Sequence, residues 1–516
     1  MRNYLDTGDS YILFEKAVNS KLYVDKSMLI DAVSQSMESG NQYLCITRPR
    51  RFGKTVNANM LAAYYSMGCD SRQLFDRLKI ATSPSYKKHL NSHHVIHIDF
   101  SRQPDGCKSY EEYIGHIVFQ FRQDFTQAYP DIREEDCDSV YRMLLASGDS
   151  FVFILDEWDS ILYESFMREQ DKSSFMTFLK ILLKDQPYAD LAYMTGVLPI
   201  AKYSSGSELN MFDEYNFMND SRYDIYFGFS EEEVRCLCEK CGTVSYEEVK
   251  QWYDGYHLSD GGSLFNPRSV NRALFRGVCL NYWTETGPMN EIADCIEHNV
   301  DEVREDIVKL VAGIPVEAEL DGYSAAELQL DTRDEILSAM VVYGFLSYYD
   351  GYLSIPNHEL MEKFRRVLSR DSMGEVKEIV DRSREMVKAT LDCDEEKVAE
   401  ILEEVHDREI PFLKYGDENA LSCVLTLCYL YARKDYWVER EEKSGKGYCD
   451  YFFSPKKRGP AMIIELKVGK SCEDALAQIR EKNYLQKAEG YGEALLVGIN
   501  YDEKKRHACK IERVKF

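Results

Sequence analysis

Two groups of residues, more than 350 positions apart, have the side chains needed to handle phosphate. Arg48, Pro49, Arg50, Arg51, Phe52, Gly53, Lys54 and Thr55 follow the short apolar run 43–47 and precede a helical pattern over 55–65. A glycine-bearing turn between a buried strand and a helix lets backbone N–H groups surround a β-phosphate. The lysine then reaches the β- and γ-phosphates and the hydroxyl binds Mg²⁺. The usual spacing is G-x-x-x-x-G-K-[ST]. Here Gly53, Lys54 and Thr55 are intact, and Arg48 stands where the first glycine would be. Further on, the apolar run 151–155 ends in Asp156 and Glu157. Asp156 would hold Mg²⁺, directly or through water, and Glu157 would polarise the attacking water. Two acids after a strand are by themselves more often a helix cap. The intact Gly53-Lys54-Thr55 shifts the reading to ATP binding, with hydrolysis as a further step.

The second group is Asp450, Glu465 and Lys467. Phosphodiester hydrolysis uses one or two Mg²⁺ ions to activate water and stabilise the scissile phosphate, and hard cations take carboxylates. Glu465 and Lys467 are two apart in the strand pattern 461–467, so they share a face. Asp450 enters the preceding strand, across the polar turn 455–460, and would meet them. Glu465 would ligate the metal while Lys467 positions water or stabilises the pentavalent phosphate, with Mn²⁺ as the alternative ion. Glu-x-Lys on a strand is also a common surface salt bridge. Glu418, at the start of an apolar helix, and Gln478, on a helix over 473–482, would support the site.

The neighbouring motifs carry a family resemblance. Tyr23-Val24-Asp25-Lys26, the run Thr47–Thr55, Ile154-Leu155-Asp156-Glu157-Trp158-Asp159, Met194-Thr195-Gly196, Trp252–Tyr256 and Asn266-Pro267 resemble the bacterial AAA-ATPase-like family over roughly residues 5–285. In that family the Arg-Pro-Arg-Arg-Phe run commonly replaces the first loop glycine. The resemblance implies that Asp25 and Lys26 lie near the nucleotide base. It also implies an Arg near position 199 that senses the γ-phosphate; this chain has Pro199 there, and Lys202 is the nearest basic substitute. Residues 410–516 resemble the PD-(D/E)XK nucleases found fused to such ATPases. Asp450, Glu465 and Lys467 match the core, and Glu418 and Gln478 match the flanking helices. Tyr448 stands where such chains usually carry Arg.

Composition narrows the choices. At 516 residues, with 44% hydrophobic and 29% charged residues, the chain holds several domains. The net charge of −25 excludes a protein that coats nucleic acid with its whole surface. The charge is unevenly spread: residues 433–516 carry 19 Lys+Arg against 14 Asp+Glu, a net of +5, and the rest carries −30. The basic stretch coincides with the second group of residues, where a phosphate backbone would dock. The 15 cysteines are scattered as reduced core residues would be, and Cys236, Cys238 and Cys241 read as helix packing before metal ligation. No apolar run reaches the roughly 18–20 residues of a membrane span. The N-terminus lacks a secretory pattern, so a cytoplasmic location is expected.

The expected architecture is an α/β multidomain chain. A P-loop NTPase core with a parallel sheet (1–229) leads to a helical lid (230–290). A winged-helix-like region (291–372), more suited to packing than to DNA given its acidity, and a helical linker (373–409) follow. A C-terminal α/β restriction-endonuclease-like domain (410–516) completes the chain. The expected partners are ATP, Mg²⁺ and nucleic acid, DNA before RNA, with no membrane and with oligomeric state left open. Two functions fit. One is an ATPase coupled to a Mg²⁺-dependent nuclease, suited to defence or DNA processing. The other is a nucleotide-switched sensor whose nuclease-like domain binds without cutting.

Overall fold

The computed structural model describes residues 2–200, 209–217, 221–258, 260–283, 301–320, 332–369, 375–406, 418–440, 450–481, 484–501 and 506–516. Lys202 and Tyr448 lie outside them. The chain forms two compact units. The first is Met1–Gly287 with Ala318–Gly351; the second is Pro288–Glu317 with Tyr352–Phe516.

The first unit is built on five strands: β1 (Tyr43–Thr47), β2 (His94–Asp99), β3 (Phe151–Asp156), β4 (Ala189–Gly196) and β5 (Asp213–Tyr215). All pair in parallel, in the order β2-β3-β4-β1-β5. β3 is buried along its whole length, as its unbroken apolar run requires of a strand covered on both faces. Because the strands are parallel, Thr47, Asp99, Asp156 and Gly196 finish on one edge. β4 lies between β1 and β3, so the loops leaving β1 and β3 are separated by one strand, at the edge where open α/β sheets bind ligands. The helix Lys54–Tyr65 begins there.

The segment expected as a helical lid opens with a capped helix. Ser230 and Glu233 form a reciprocal capping box at the start of Glu231–Cys241. The strands Tyr256–His257 and Ser263–Phe265 pair as an antiparallel hairpin. The following helix starts at Pro267. Asn266 is its N-cap, accepting from the N–H groups of Arg268 and Ser269, since Asn suits the cap and Pro the first helical position.

The region expected to be winged-helix-like is divided between the two units. Its segment 318–351 belongs to the first, where the Tyr256 hydroxyl donates to Gly344 O at 3.0 Å and Ser347 Oγ accepts from the His257 N–H at 3.0 Å. The chain turns at Asp350-Gly351, both at positive φ (49° and 83°), as expected of a tight hairpin turn.

The second unit has a five-stranded mixed sheet of β6 (Tyr436–Arg440), β7 (Asp450–Pro455), β8 (Ala461–Val468), β9 (Glu493–Tyr501) and β10 (His507–Lys515), in that order. All neighbours are antiparallel except β8 and β9. The helix Cys472–Glu481 crosses between those two and buries Leu476 and Ile479 against Phe452, Ile463 and Leu496. Within the segment 373–409, expected as a helical linker, the described residues 375–406 belong to this unit. Glu395, opening the helix Glu395–His406, accepts from the Ile511 N–H of β10 at 2.8 Å, and Thr390 meets the Tyr429 hydroxyl at 2.7 Å. Among the described residues no helix is long and apolar enough to cross a membrane.

Candidate active sites

In the first unit, the loop between β1 and the helix Lys54–Tyr65 is bent by two left-handed residues, Arg51 (φ 76°) and Gly53 (φ 91°). No side chain caps the helix at Gly53, so its first N–H groups are left for a ligand, and the helix dipole favours an anion there. Lys54 is 4% exposed. Its Nζ donates to the carbonyls of Arg48 at 3.0 Å and Pro49 at 3.2 Å, which holds the ammonium inside the loop. The Arg48 guanidinium is buried. It donates to Thr47 O at 2.7 Å and Tyr215 O at 3.0 Å, and lies over the Phe227 ring at 5.1 Å. Arg48 therefore braces the loop against β5 from behind, with its backbone in the loop and its side chain turned to the protein. Pro49 packs on Gly344, where a Cβ would meet its ring at 2.7 Å. Phe52 is buried edge-on to Tyr256 at 5.0 Å. Arg50 is half-buried, and Arg51 and Thr55 are exposed.

Asp156 ends β3 at this edge and Glu157 follows it. The Thr195 hydroxyl donates to Asp156 Oδ1 at 2.5 Å. Asp156 Oδ2 is buried and has no hydrogen-bond partner among the described residues. Burial pushes the Asp156 carboxyl up, opposed by the Thr195 and Thr55 hydroxyls. A buried carboxylate with one empty oxygen, close to a threonine hydroxyl at the phosphate loop, fits a hard divalent cation. Glu157 is half-buried at φ 52°, a conformation that is costly for a non-glycine residue and turns it away from the strand.

A cavity of about 240 Å³ adjoins the loop, lined by Phe14, Tyr23, Val24, Gly53, Val56 and Tyr226 among others. Its aromatic and apolar walls suit a planar base. Lys26 also lines it, but its Nζ is taken by Ile225 O at 2.7 Å and Glu233 Oε2 at 2.8 Å, and burial pushes it down. Asp25 instead fixes a turn, accepting from the N–H groups of Ser27 and Lys79.

Sequence reasoning passed over Arg268. It sits in the first turn of the helix Pro267–Arg276, and Pro267 and Asn271 of that helix line the same cavity. Arg268 Nε is buried without a partner among the described residues. Burial lowers its pKa, and the like charges of Arg51 and Arg272 lower it further. A cation in the first turn of a helix opposes the helix dipole. An arginine straight after Asn266-Pro267 was therefore the available signal that it serves something other than its own helix.

Asp159 is 1% exposed and accepts from the N–H groups of Val197 at 3.1 Å and Leu198 at 2.9 Å. Burial pushes its carboxyl up to about 6. The folded value lies above the roughly 3.9 of an unfolded Asp. Its contribution to stability is therefore complete below about pH 4 and is lost as pH rises through about 6. Without nucleotide or metal, Asp159→Asn is expected to remove this slope, on the order of 2–3 kcal/mol between pH 4 and 8. Urea unfolding across that range checks it, and an unchanged slope in the variant would refute the assignment.

In the second unit, the antiparallel register sets position 450 of β7 directly opposite Glu465 of β8, so the two share a sheet face. Ile463 packs on the helix Cys472–Glu481, and counting by twos puts Glu465 and Lys467 on that same face. Glu465 is fully buried and Lys467 is 2% exposed, with Lys467 Nζ donating to Glu465 Oε1 at 2.6 Å. Glu465 Oε2 is buried without a partner among the described residues, so this carboxylate too has room for a cation. Gln478 is half-buried on the helix that covers the face. Glu418 opens the helix Glu418–Cys428, whose Thr426 meets Tyr451 at 2.9 Å. Tyr451 is on the opposite sheet face, so that helix and Glu465 lie in different layers. The side chains of Glu418 and Asp450 are outside the described residues.

Cys236 is exposed, Cys241 half-buried and Cys238 buried. Among the described residues no three His, Cys, Asp or Glu side chains converge to hold a metal.

Comparison with known proteins agrees with this division. Residues 14–205 match the Predicted AAA-ATPase (AAA-ATPase-like) family, and residues 416–511 match the PD-(D/E)XK nuclease superfamily. Comparison with curated proteins gave no match. Among solved structures, a Walker-type ATPase of Pyrococcus abyssi is similar at 15% identity, over 65% of this chain and 95% of its own, with a TM-score of 0.34. As both resemblances implied, the chain carries an AAA-ATPase-like domain in its N-terminal part and a PD-(D/E)XK nuclease superfamily domain in its C-terminal part.

Proposed function

We propose that the chain binds and hydrolyses ATP in its first unit and cleaves nucleic-acid phosphodiester bonds with Mg²⁺ in its second, with DNA as the preferred substrate. One observation carries this reading. Each unit holds a buried carboxylate with one oxygen lacking a partner among the described residues, Asp156 Oδ2 and Glu465 Oε2, and each stands beside a lysine or loop suited to phosphate.

In the first site, Lys54 and the N–H groups of the loop 48–55 bind the phosphates, Thr55 and Asp156 would hold Mg²⁺, and Glu157 orients the attacking water. Mg²⁺, when bound, neutralises charge on the phosphate oxygens. Arg268 reads the γ-phosphate from the lid. Arg268→Ala is expected to weaken ATP binding about tenfold, the worth of one charged hydrogen bond, and to leave ADP binding unchanged. Titration with each nucleotide checks this, and equal losses for ATP and ADP would remove the role.

In the second site, Asp450 and Glu465 would hold Mg²⁺ or Mn²⁺, and Lys467 orients water or stabilises charge on the phosphate. Gln478 supports the site from the helix that covers this face. Defence against foreign DNA, or DNA processing, suits such a pairing of activities in one cytoplasmic chain. The test is incubation of the full chain with single- and double-stranded DNA and RNA, with and without ATP and Mg²⁺. Mg²⁺-dependent strand breakage is expected. The second reading, a nucleotide-switched module that binds without cutting, is favoured by the buried Lys467–Glu465 pair, which already satisfies one carboxylate oxygen. Binding without breakage of any substrate would establish that reading instead.

A further inference from the structure

The helix Pro267–Arg276 buries Ser269, Val270, Ala273 and Leu274. Arg268, Arg272 and Phe275 are spaced i, i+4, i+7 and share the opposite face. Arg272 is exposed, and Phe275 is 78% exposed, the highest value among the described large apolar residues. Arg51, in the left-handed bend of the phosphate loop, is exposed too, and its charge and that of Arg272 both act on Arg268. None of Arg51, Arg268 and Arg272 has a carboxylate partner among the described residues. Acids are plentiful in this chain, 88 against 63 Lys and Arg, and Arg168, Arg235 and Arg513 each pair with one. The helix Pro267–Arg276 itself holds none. Arg276 has a local explanation: a cation in the last turn suits the helix dipole, and its guanidinium lies over Tyr282 at 5.3 Å. Arg272, in mid-helix, has no such explanation among its described contacts.

We infer that this face is a site for single-stranded nucleic acid on the first unit: Phe275 stacks a base while Arg272 and Arg51 hold the phosphodiester backbone. An aromatic platform beside a path of unpaired cations binds single strands, because their bases leave their faces open. A duplex keeps its bases stacked and offers Phe275 no face. Neighbours three apart on a helix surface lie about 5–6 Å from each other, so Phe275 and Arg272 meet a base and an adjoining phosphate together. A phosphodiester chain also offsets the mutual repulsion of the clustered arginines. A nucleotide in the cavity does not reach Phe275. Pro267 and Asn271 line that cavity from the start of the helix, and Phe275 lies about one turn beyond Asn271. The site is distinct from the carboxylates of the second unit, and it holds whether or not that unit cuts.

Photocross-linking of an iododeoxyuridine oligonucleotide to the full chain tests this, in chelator so that nothing is cut. The linked peptide is then identified. A cross-link to the helix Pro267–Arg276, lost in Phe275→Ala, is expected, and it reports this face even where the second unit binds the same strand. Titration with a dye-labelled oligothymidylate supplies the chemistry. Arg272→Ala is expected to flatten the dependence of log K on log salt by about 0.7, the worth of one phosphate contact on a single strand. Phe275→Ala is expected to weaken binding about tenfold and to leave that slope unchanged. Both substitutions are at exposed positions, and melting close to the parent's is expected. Cross-links confined to residues 433–516 overturn the inference and leave nucleic-acid binding by the second unit standing. An equal loss of duplex binding in Phe275→Ala overturns the stacking role and the inference with it. A parent that self-associates, becomes monomeric in Phe275→Ala and gives no cross-link to this helix assigns the face to a second copy instead. No binding of any oligonucleotide by the parent overturns both this site and the nucleic-acid reading of the second unit.

Discussion

Lys54→Ala is expected to abolish ATP hydrolysis and to weaken ATP binding by at least tenfold. The ammonium is buried in the loop, donating to the Arg48 and Pro49 carbonyls, so in the resting chain it is already aimed into the space that a phosphate enters. Its loss removes a charge-assisted contact, worth about 1.5–3 kcal/mol, and the stabilisation of charge that develops during transfer, typically 10²–10³ in rate. Glu157→Gln separates the two effects. It is expected to bind ATP as the parent does while hydrolysing it about 10²–10⁴ times more slowly, because Glu157 holds no structural bond through its carboxylate among those described. Phosphate release and binding of a fluorescent ATP analogue measure both. Parent-like ATP binding by Lys54→Ala would remove the loop from the nucleotide site.

The loop shows how far sequence reaches. Gly53-Lys54-Thr55 between an apolar strand and a helix marks a candidate phosphate site because each residue type suits that local geometry. The strands β1 and β3 were legible from their short apolar runs, which suit a parallel sheet covered on both faces. β5 was not, since Asp213–Tyr215 is three residues long, polar and at the sheet edge. The bracing of Arg48 by Tyr215 O, and of Pro49 by Gly344, depends on segments 167 and 295 residues away. Contacts between such distant segments leave no periodicity to read.

The second site divides in the same way. Glu465 and Lys467 on one face follow from strand alternation. That Asp450 lies opposite Glu465 follows from the hairpin register, which the turn 455–460 leaves open to within a residue, and a slip by one would have sent it to the other face. Arg268 was within reach, as a cation where the helix dipole disfavours one.

Glu465→Gln and Asp450→Ala are expected to reduce Mg²⁺-dependent cleavage by about 10³-fold or more while leaving ATP hydrolysis intact. Glu465 is fully buried, and its glutamine variant keeps the shape and one acceptor for Lys467. The change therefore removes charge and metal affinity rather than packing, and several kcal/mol of metal-assisted stabilisation goes with it. Unfolding curves for Glu465→Gln are expected to stay close to those of the parent. A collapse of stability would mean that the Lys467–Glu465 pair serves the fold.

The most direct measurement is strand breakage of single- and double-stranded DNA and RNA by the purified chain, run with and without Mg²⁺ and ATP beside Asp450→Ala and Lys54→Ala. The expected result is breakage that needs Mg²⁺, disappears in Asp450→Ala, and loses its response to ATP in Lys54→Ala. Breakage by Asp450→Ala at the parent's rate would contradict the assigned site.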